Sequence, residues 1–206
     1  MTKQIAVVAG QASYRTTDFV RAAELLRIEA YVVGDGDVPT GSRHVEVCLD
    51  DPVAAAAELA AALPTVDAVI GVDDHAVMTA TAAAAALQLP HNPIEAVAAT
   101  RDKAILRDRL AAGGVNQPDH RVAPPGAVPA AATELGFPVV IKPTGLSASR
   151  GVIRANDPSE AAVAENRIRA ILEKAELPPT QRLLVERYIP GDEIVIEGLL
   201  NPKGLE

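Results

Sequence analysis

Short apolar runs alternate with segments of helical periodicity across residues 1–91, and this alternation is the strongest constraint on the fold. Strands that alternate with amphipathic helices are typical of βαβ units, whose strands form a mostly parallel sheet covered by helices. The sequence therefore predicts an α/β fold that begins with a doubly wound parallel-sheet domain. Its predicted elements are strands at 5–10, 30–36, 44–49 and 66–72 and helices at 17–29, 51–63 and 73–89.

The pattern changes near Asn92, where Pro90 and Pro93 interrupt the alternation, so residues 92–206 are assigned to a second, α+β domain. Four prolines at 118–129 predict an irregular segment with at most one edge strand. The chain stops directly after its last predicted strand and is interpreted as the front part of a longer protein. The other predicted elements are helix 99–115, strands 138–143 and 151–155, helix 159–175, and strands 182–189 and 193–200 joined by a turn.

The composition excludes several classes of protein. A net charge of -8 and an aromatic content of 2% argue against a nucleic-acid partner, because phosphate backbones require basic surfaces and single-stranded bases require aromatic platforms. The single cysteine excludes an internal disulfide and favours a reducing compartment. The N-terminal apolar run is too short for a signal peptide, and no apolar run approaches the ~18 residues of a membrane-spanning helix. We therefore expect a cytoplasmic protein without membrane contact.

Residues 138–153, PVVIKPTGLSASRGVI, place a lysine at the end of an apolar strand and follow it with small and polar residues. Small residues allow a backbone to approach an anion closely, and consecutive amides in such a turn can hold phosphate oxygens. Lys142 and Arg150 would add positive charge, while Ser147 and Ser149 would add hydroxyl donors. A solvent-exposed hairpin explains the same stretch, and neither the Walker spacing nor G-x-G-x-x-G is present.

Three ordered stretches lie at suitable separations, namely TRDKAILRDRLAAGGVNQPDHRV, GFPVVIKPTGLSASRGVI and LLVERYIPGDEIVIEGLL. Together they resemble the ATP-grasp superfamily of ATP-dependent carboxylate–amine ligases, and within it most resemble the amino-acid and dipeptide ligases. The resemblance implies that residues 1–91 are the Rossmann-like domain that precedes the grasp in this family. It also implies that residues 92–206 hold linker helices and the first ATP-grasp subdomain, with the C-terminal half of the grasp missing.

The resemblance implies a role for two lysines and one loop in binding ATP phosphates. Lys103 and Lys142 would contact the phosphates, and the loop after Lys142 would close over the β- and γ-phosphates. Many relatives have glycine at the position of Ala148, so its side chain is expected to disfavour positive φ and to stiffen the loop. The loop residues are Ser147, Ala148, Ser149, Arg150 and Gly151.

The resemblance also implies how the adenosine part of ATP is held. Glu186 would accept a hydrogen bond from the adenine amino group, and a carboxylate on an apolar strand does need such a donor to offset its desolvation. The backbone of Arg187 and Ile189 would meet the adenine edge as a hinge. Glu193 would hold the ribose hydroxyls.

The reaction implied by the resemblance joins a small-molecule carboxylate to an amine. ATP and the carboxylate form an acyl phosphate, which the amine attacks, so that ADP and phosphate are released. Mg²⁺ is expected to bridge the phosphate oxygens, but the family's metal ligands lie on later strands and hence outside this chain. No catalytic residue is assigned, and a homo-oligomer is left open.

Two other function classes remain open from the sequence. The opening βαβ pattern is also typical of a dinucleotide-dependent oxidoreductase domain, although the first loop, AGQASYR, lacks the spaced glycines. An ATP-grasp domain that lacks its C-terminal half would also be compatible with a non-catalytic nucleotide-binding or assembly module. Residues 71–76, GVDDHA, lie at a strand end where ligands bind, but Asp73 or Asp74 capping the next helix explains them as well. The remaining histidines are interpreted as isolated surface residues, namely His44, His91 and His120.

Overall fold

The computed structural model describes residues 2–11, 13–36, 38–39, 41–201 and 204–205, and the chain forms two compact units, Met1–Val115 and Asn116–Glu206. The strands of the first unit are β1 (Gln4–Val8), β2 (Glu29–Gly34), β3 (Arg43–Glu46) and β4 (Ala68–Gly71). They form an all-parallel sheet in the order β3-β2-β1-β4. The helices of this unit are α1 (Thr16–Leu25), α2 (Pro52–Ala62), α3 (Val77–Ala86), α4 (Ile94–Arg101) and α5 (Lys103–Ala112).

Strand β1 is buried on both sides of the parallel sheet. Its alternate residues Ala6 and Val8 pack with Leu59 of α2 and Ala83 of α3, whereas Val7 belongs to a separate apolar cluster. Burial on both faces explains why the strands of this unit are continuous apolar runs. The predicted doubly wound parallel-sheet domain is therefore confirmed.

The helix predicted at 99–115 is in fact two helices, α4 and α5, that meet at Asp102. Asp102 has an extended backbone, and its carboxylate accepts hydrogen bonds from the amides of Ala104 and Ile105 at 2.8 and 3.2 Å. Aspartate in this role begins a new helix rather than continuing the old one. Both helices lie in the first compact unit, so the predicted boundary between residues 91 and 92 falls inside that unit, between α3 and α4.

The second unit is built around an antiparallel sheet in the order β5-β8-β6-β7. Its strands are β5 (His120–Ala123), β6 (Val139–Pro143), β7 (Ile153–Ala155) and β8 (Leu183–Arg187), and its helices are α6 (Val128–Leu135) and α7 (Pro158–Lys174). Strand β5 lies at the edge of this sheet, as predicted for the proline-rich segment. Helix α6 was missed because prolines dominate its approach, although Pro129 lies in its first turn, where proline is compatible with a helix.

The strand predicted at 193–200 is wrong over most of its length. Residues 192–199 have no regular structure, and only β9 (Leu200–Asn201) pairs, with β10 (Gly204–Leu205). The apolar side chains of Ile194, Val195, Ile196 and Leu199 are 76–80% exposed. The residues of this stretch alternate as a strand requires, but a strand also needs a neighbouring backbone, and this stretch pairs with neither edge of the four-stranded sheet.

A buried ion pair on α7 fixes two loops of the second unit. The Glu165 carboxylate accepts hydrogen bonds from the Gly126 amide at 2.7 Å and from the Arg169 guanidinium at 2.7 and 3.1 Å. The same guanidinium also donates to the carbonyl oxygens of Pro179 and Gln181. One pair of charged side chains thus ties the loop before α6 and the loop before β8 to the middle of α7.

None of the helices in the described ranges combines the length and the apolar character that crossing a membrane requires.

Candidate functional site

The antiparallel sheet of the second unit has two chemically different faces. One face is the core, where Val139, Ile141 and Val185 pack with residues of α6 and α7. Successive side chains along a strand point to opposite faces of the sheet. Lys142, which follows Ile141 on β6, and Glu186, which follows Val185 on β8, therefore project to the other face. Charged side chains on sheet strands therefore mark this opposite face as the candidate site.

Lys142 and Glu186 form an ion pair on this face. The Lys142 ammonium contacts Glu186 Oε2, and the two side chains are only 15% and 6% exposed. A buried pair of this kind is seldom more stable than a well-packed apolar pair, since both charges lose their hydration. The ammonium and the carboxylate nonetheless compensate each other's charge at these buried positions. The structure thus brings together the lysine and the glutamate that the sequence placed in one nucleotide site.

The loop between β6 and β7 is anchored at its start and exposed at its tip. Thr144 and Leu146 are buried, Ser147 is half-buried, and residues 148–150 are exposed. Two successive turns shape the tip, because the Arg150 amide donates to the Ser147 carbonyl and the Val152 amide donates to the Ser149 carbonyl. The tip therefore presents hydroxyl groups and a guanidinium to solvent.

The loop tip contains consecutive residues in the left-handed backbone region. Ala148 and Ser149 have φ of 55° and 56°, so Ala148 adopts the conformation that its side chain was expected to disfavour. For a residue other than glycine this conformation costs about 1–2 kcal/mol. Such strain is common where a loop must bind a ligand.

Both the backbone conformation and the close packing at position 151 require a glycine. Its φ is 75°, and a Cβ atom here would lie 3.2 Å from Cδ of Pro143, whose ring cannot move aside easily. Gly151→Ala should therefore lower the free energy of unfolding by about 2–3 kcal/mol, from the left-handed backbone and from the clash together. Denaturant unfolding would measure this loss.

Gly126→Ala is the matched control for Gly151→Ala. Gly126 has φ of 81°, but a Cβ atom there would meet nothing within 4 Å. Its alanine variant should lose only the backbone contribution, about 1–2 kcal/mol. Equal losses at the two positions would show that the Pro143 contact is unimportant.

The other predicted site residues differ in their burial and in their contacts. The Arg187 guanidinium donates to the Leu135 carbonyl oxygen at 2.8 Å, so this side chain is engaged at the end of α6. Ile189 is 66% exposed, and Glu193 is exposed in the irregular segment that follows β8. Lys103 is the half-buried first residue of α5, in the first unit.

His120 is a residue of this face that the sequence did not reveal. It is half-buried rather than on the surface, and it pairs with Glu186 in the register of β5 and β8. The stretch HRVA carries no sign that it would pair with LLVE, and only the three-dimensional strand pairing places His120 opposite Glu186. The interpretation as a surface residue holds for His44 and His91, which are exposed, and is wrong for His120.

The acidic cluster after β4 has a structural role. One oxygen of Asp73 accepts hydrogen bonds from the amides of His75 and Ala76, and the other accepts from the Gly10 amide at 2.9 Å. Asp73 therefore stabilises the turn that precedes α3 and ties it to the loop after β1, whereas the predicted helix cap is not formed, because α3 begins behind Ala76 without a side-chain cap. Across the described ranges, no three His, Cys, Asp or Glu side chains cluster in a way that could hold a metal ion.

Comparison with known proteins finds a family match for the C-terminal third of the chain. Residues 135–206 match the family described as ATP-grasp domain. A curated relative, the phosphoribosylamine–glycine ligase of Synechocystis sp., is 33% identical over 79 residues, which are 38% of this chain and 17% of the relative.

Solved structures match over nearly the whole chain. The L-amino acid ligase from Bacillus licheniformis is 22% identical with a TM-score of 0.69, covering 92% of this chain and 45% of that one. The N5-carboxyaminoimidazole synthetase from Staphylococcus aureus, solved with ADP, is 13% identical with a TM-score of 0.67, covering 92% and 48%. The chain thus has the fold of about half of each of these proteins, and it spans less than half of their length.

Proposed function

We propose that the chain is the ATP-binding portion of an ADP-forming carboxylate–amine ligase, since residues 135–206 match the ATP-grasp domain family. The observation that carries the proposal is the buried pair of Lys142 and Glu186, on the face opposite α6 and α7 and beside the small-residue loop. A buried ion pair is poorly explained by stability alone, because apolar residues of similar volume would be at least as stable. ATP explains both members, since its phosphates require a cation and its adenine amino group requires an acceptor.

Binding of ATP would exchange one set of contacts for another. The Lys142 ammonium would turn from Glu186 toward a phosphate oxygen, forming a charge-assisted hydrogen bond. Glu186 would then accept a hydrogen bond from the adenine amino group, so that its buried carboxylate keeps a donor. The pair in the structure would therefore be the resting state of two groups that separate around the nucleotide.

The loop after β6 would close over the phosphates. Its small residues let the backbone approach the anion, and the hydroxyl groups of Ser147 and Ser149 and the guanidinium of Arg150 supply donors. Gly151 would keep the base of this loop seated against Pro143 while the tip moves. The donor groups follow from the composition of the loop, whereas its closure over the phosphates stays a prediction from the family resemblance.

The adenosine part of ATP would meet the end of β8. The Arg187 side chain is held at α6, which leaves the Arg187 backbone and the Ile189 backbone as the groups for the adenine edge. Glu193 would hold the ribose hydroxyls, and Lys103 would contact a phosphate. Both of these last roles stay predictions from the family resemblance.

The proposed reaction has two displacement steps. A carboxylate oxygen of the first substrate attacks the γ-phosphorus of ATP and ADP leaves, which gives an acyl phosphate. The amine nitrogen of the second substrate then attacks the acyl carbon and phosphate leaves. Mg²⁺ would neutralise phosphate charge in such a reaction, and we propose from the family resemblance that its protein ligands lie on later strands outside this chain.

Calorimetric titration tests the binding proposal directly. The 206-residue chain should bind Mg–ATP saturably and should give no saturable signal with NAD(H) at the same concentrations. Binding of NAD(H) instead of ATP would contradict the proposal and favour the oxidoreductase alternative. Ligation itself is tested separately, as ADP formation that requires both a carboxylate and an amine. ATP binding without such activity in the longest form of the protein would favour the non-catalytic nucleotide-binding or assembly module.

A further inference from the structure

Helix α1 and the residue directly after it carry large apolar side chains on their outward surface. Phe19, Leu25 and Leu26 are 36%, 80% and 70% exposed, whereas the buried residues of the helix are the small Thr16 and Ala23. The helix thus lies against β1 and β2 through small side chains and leaves its large ones in solvent. Single exposed apolar residues are common, but several on one helix are typical of a surface that binds another protein.

These apolar side chains share one face of the helix. Residues three, four and seven positions apart lie on the same side of an α-helix. Phe19, Ala22 and Leu25 follow one another at intervals of three, and Leu26 comes seven residues after Phe19. The backbone of Leu26 is still right-handed helical, so this residue continues the face. Ala22 is exposed in the middle of the face, where its small side chain lets a second helix approach closely.

The order of the apolar residues is symmetric about Ala22. Phe19 precedes Ala22 by three positions, and Leu25 and Leu26 follow it by three and four positions. In an antiparallel pair of α1 helices with the two Ala22 residues opposite each other, Phe19 of each copy meets Leu25 and Leu26 of the other. An interface between identical chains related by a twofold axis requires this kind of self-complementarity.

The charged residues beside this face follow the same symmetry. Asp18 lies four residues before Ala22 and Arg27 five residues after it, which is about 6 and about 7.5 Å along the helix axis. In the antiparallel pair, Asp18 of one copy is therefore level with Arg27 of the other, and both side chains are exposed. A parallel pair would instead place two Asp18 carboxylates side by side. Charge complementarity thus favours the antiparallel arrangement.

We propose that the outward face of α1 is the interface of a homodimer, in which two copies of this chain pack antiparallel around Ala22. A single pair of helices buries less area than a standard protein interface, so the dimer is weak, with a dissociation constant on the order of 10 μM. This interface belongs to the first unit alone, so the dimer is independent of the ATP site proposed in the second unit.

Sedimentation equilibrium of the 206-residue chain between about 1 and 200 μM, a range that brackets this constant, should show a monomer–dimer equilibrium. Leu26→Glu should raise the dissociation constant about 10-fold or more, because it sets a carboxylate against Phe19 and close to Asp18 of the second copy. Ile196→Glu is the matched control, since it changes the exposed apolar stretch after β8, and it should leave the constant unchanged.

A charge exchange tests the antiparallel arrangement itself. Asp18→Arg and Arg27→Asp each place like charges opposite each other, and each should raise the dissociation constant about 5- to 10-fold. The double variant restores opposite charges and should dimerise within about threefold of wild type. Because these side chains are exposed, thermal unfolding followed by circular dichroism should show the same midpoint for all variants to within a few degrees.

Three results would contradict the proposal in different ways. A monomer at every concentration would overturn the dimer and assign the α1 face to a segment or a partner outside these 206 residues. A dimer that Ile196→Glu disrupts and Leu26→Glu leaves intact would overturn the role of α1. A double charge variant as weak as its two single variants would overturn the antiparallel arrangement.

Discussion

Lys142→Met should weaken the binding of Mg–ATP to this chain about 10- to 100-fold. The substitution removes a charge-assisted hydrogen bond to phosphate, worth about 1.5–3 kcal/mol. It also takes away one partner of the buried Glu186 carboxylate, so the free energy of unfolding should fall by about 3 kcal/mol, the lower end of the cost of breaking a buried ion pair. Methionine keeps the length and the apolar stem of lysine. Calorimetric titration measures the affinity, and urea unfolding measures the stability.

The double variant Lys142→Met with Glu186→Gln distinguishes lost binding from lost folding. It removes both charges of the pair, and replacing a buried ion pair by neutral groups is often neutral for stability. The double variant should therefore unfold close to wild type and still bind ATP weakly. A double variant that regains both stability and ATP affinity would show that Lys142 serves the fold and does not contact phosphate.

Local sequence patterns predicted most of the fold because the information for those elements is local. Asp51 precedes Pro52 at the start of α2, and its carboxylate accepts hydrogen bonds from the amides of Val53 and Ala54 as the capping pattern indicates. The apolar runs of β1 and β6 mark buried strands; β6 lies within the predicted range 138–143, and β1 begins one residue before the predicted range 5–10 and ends two residues before its end. The sequence signals for these elements therefore lie within the elements themselves or directly beside them.

The predictions that failed depend on long-range pairing. The alternation at 193–200 indicates a strand, yet nothing in the stretch says which backbone lies beside it, and β8 already has β5 and β6 as neighbours. His120 illustrates the same limit at the site, because its position opposite Glu186 depends on a pairing across more than 60 residues of chain. The Lys142–Glu186 contact likewise needs β6 and β8 to be adjacent. Sequence motifs thus selected the two residues, and only the sheet register brought them together.

Arg169→Met should destabilise the second unit by about 3–5 kcal/mol, the largest stability effect that we expect in this chain. The substitution leaves the Glu165 carboxylate, whose side chain is 7% exposed, with the Gly126 amide and without its charged partner. It also removes the donors to the carbonyls of Pro179 and Gln181, which loosens the approach to β8. Urea unfolding followed by circular dichroism would measure the loss.

Two further variants decide whether burial is the cause of this loss. Arg121→Met breaks a pair with Glu134 whose side chains are 54% and 67% exposed, and it should change the stability by no more than about 0.5 kcal/mol. Arg169→Met combined with Glu165→Gln keeps an acceptor for the Gly126 amide and leaves no buried charge, so it should recover much of the stability. Recovery would identify the uncompensated carboxylate as the main cost. If the double variant were as unstable as Arg169→Met alone, the hydrogen bonds from Arg169 to the loop before β8 would account for the stability instead.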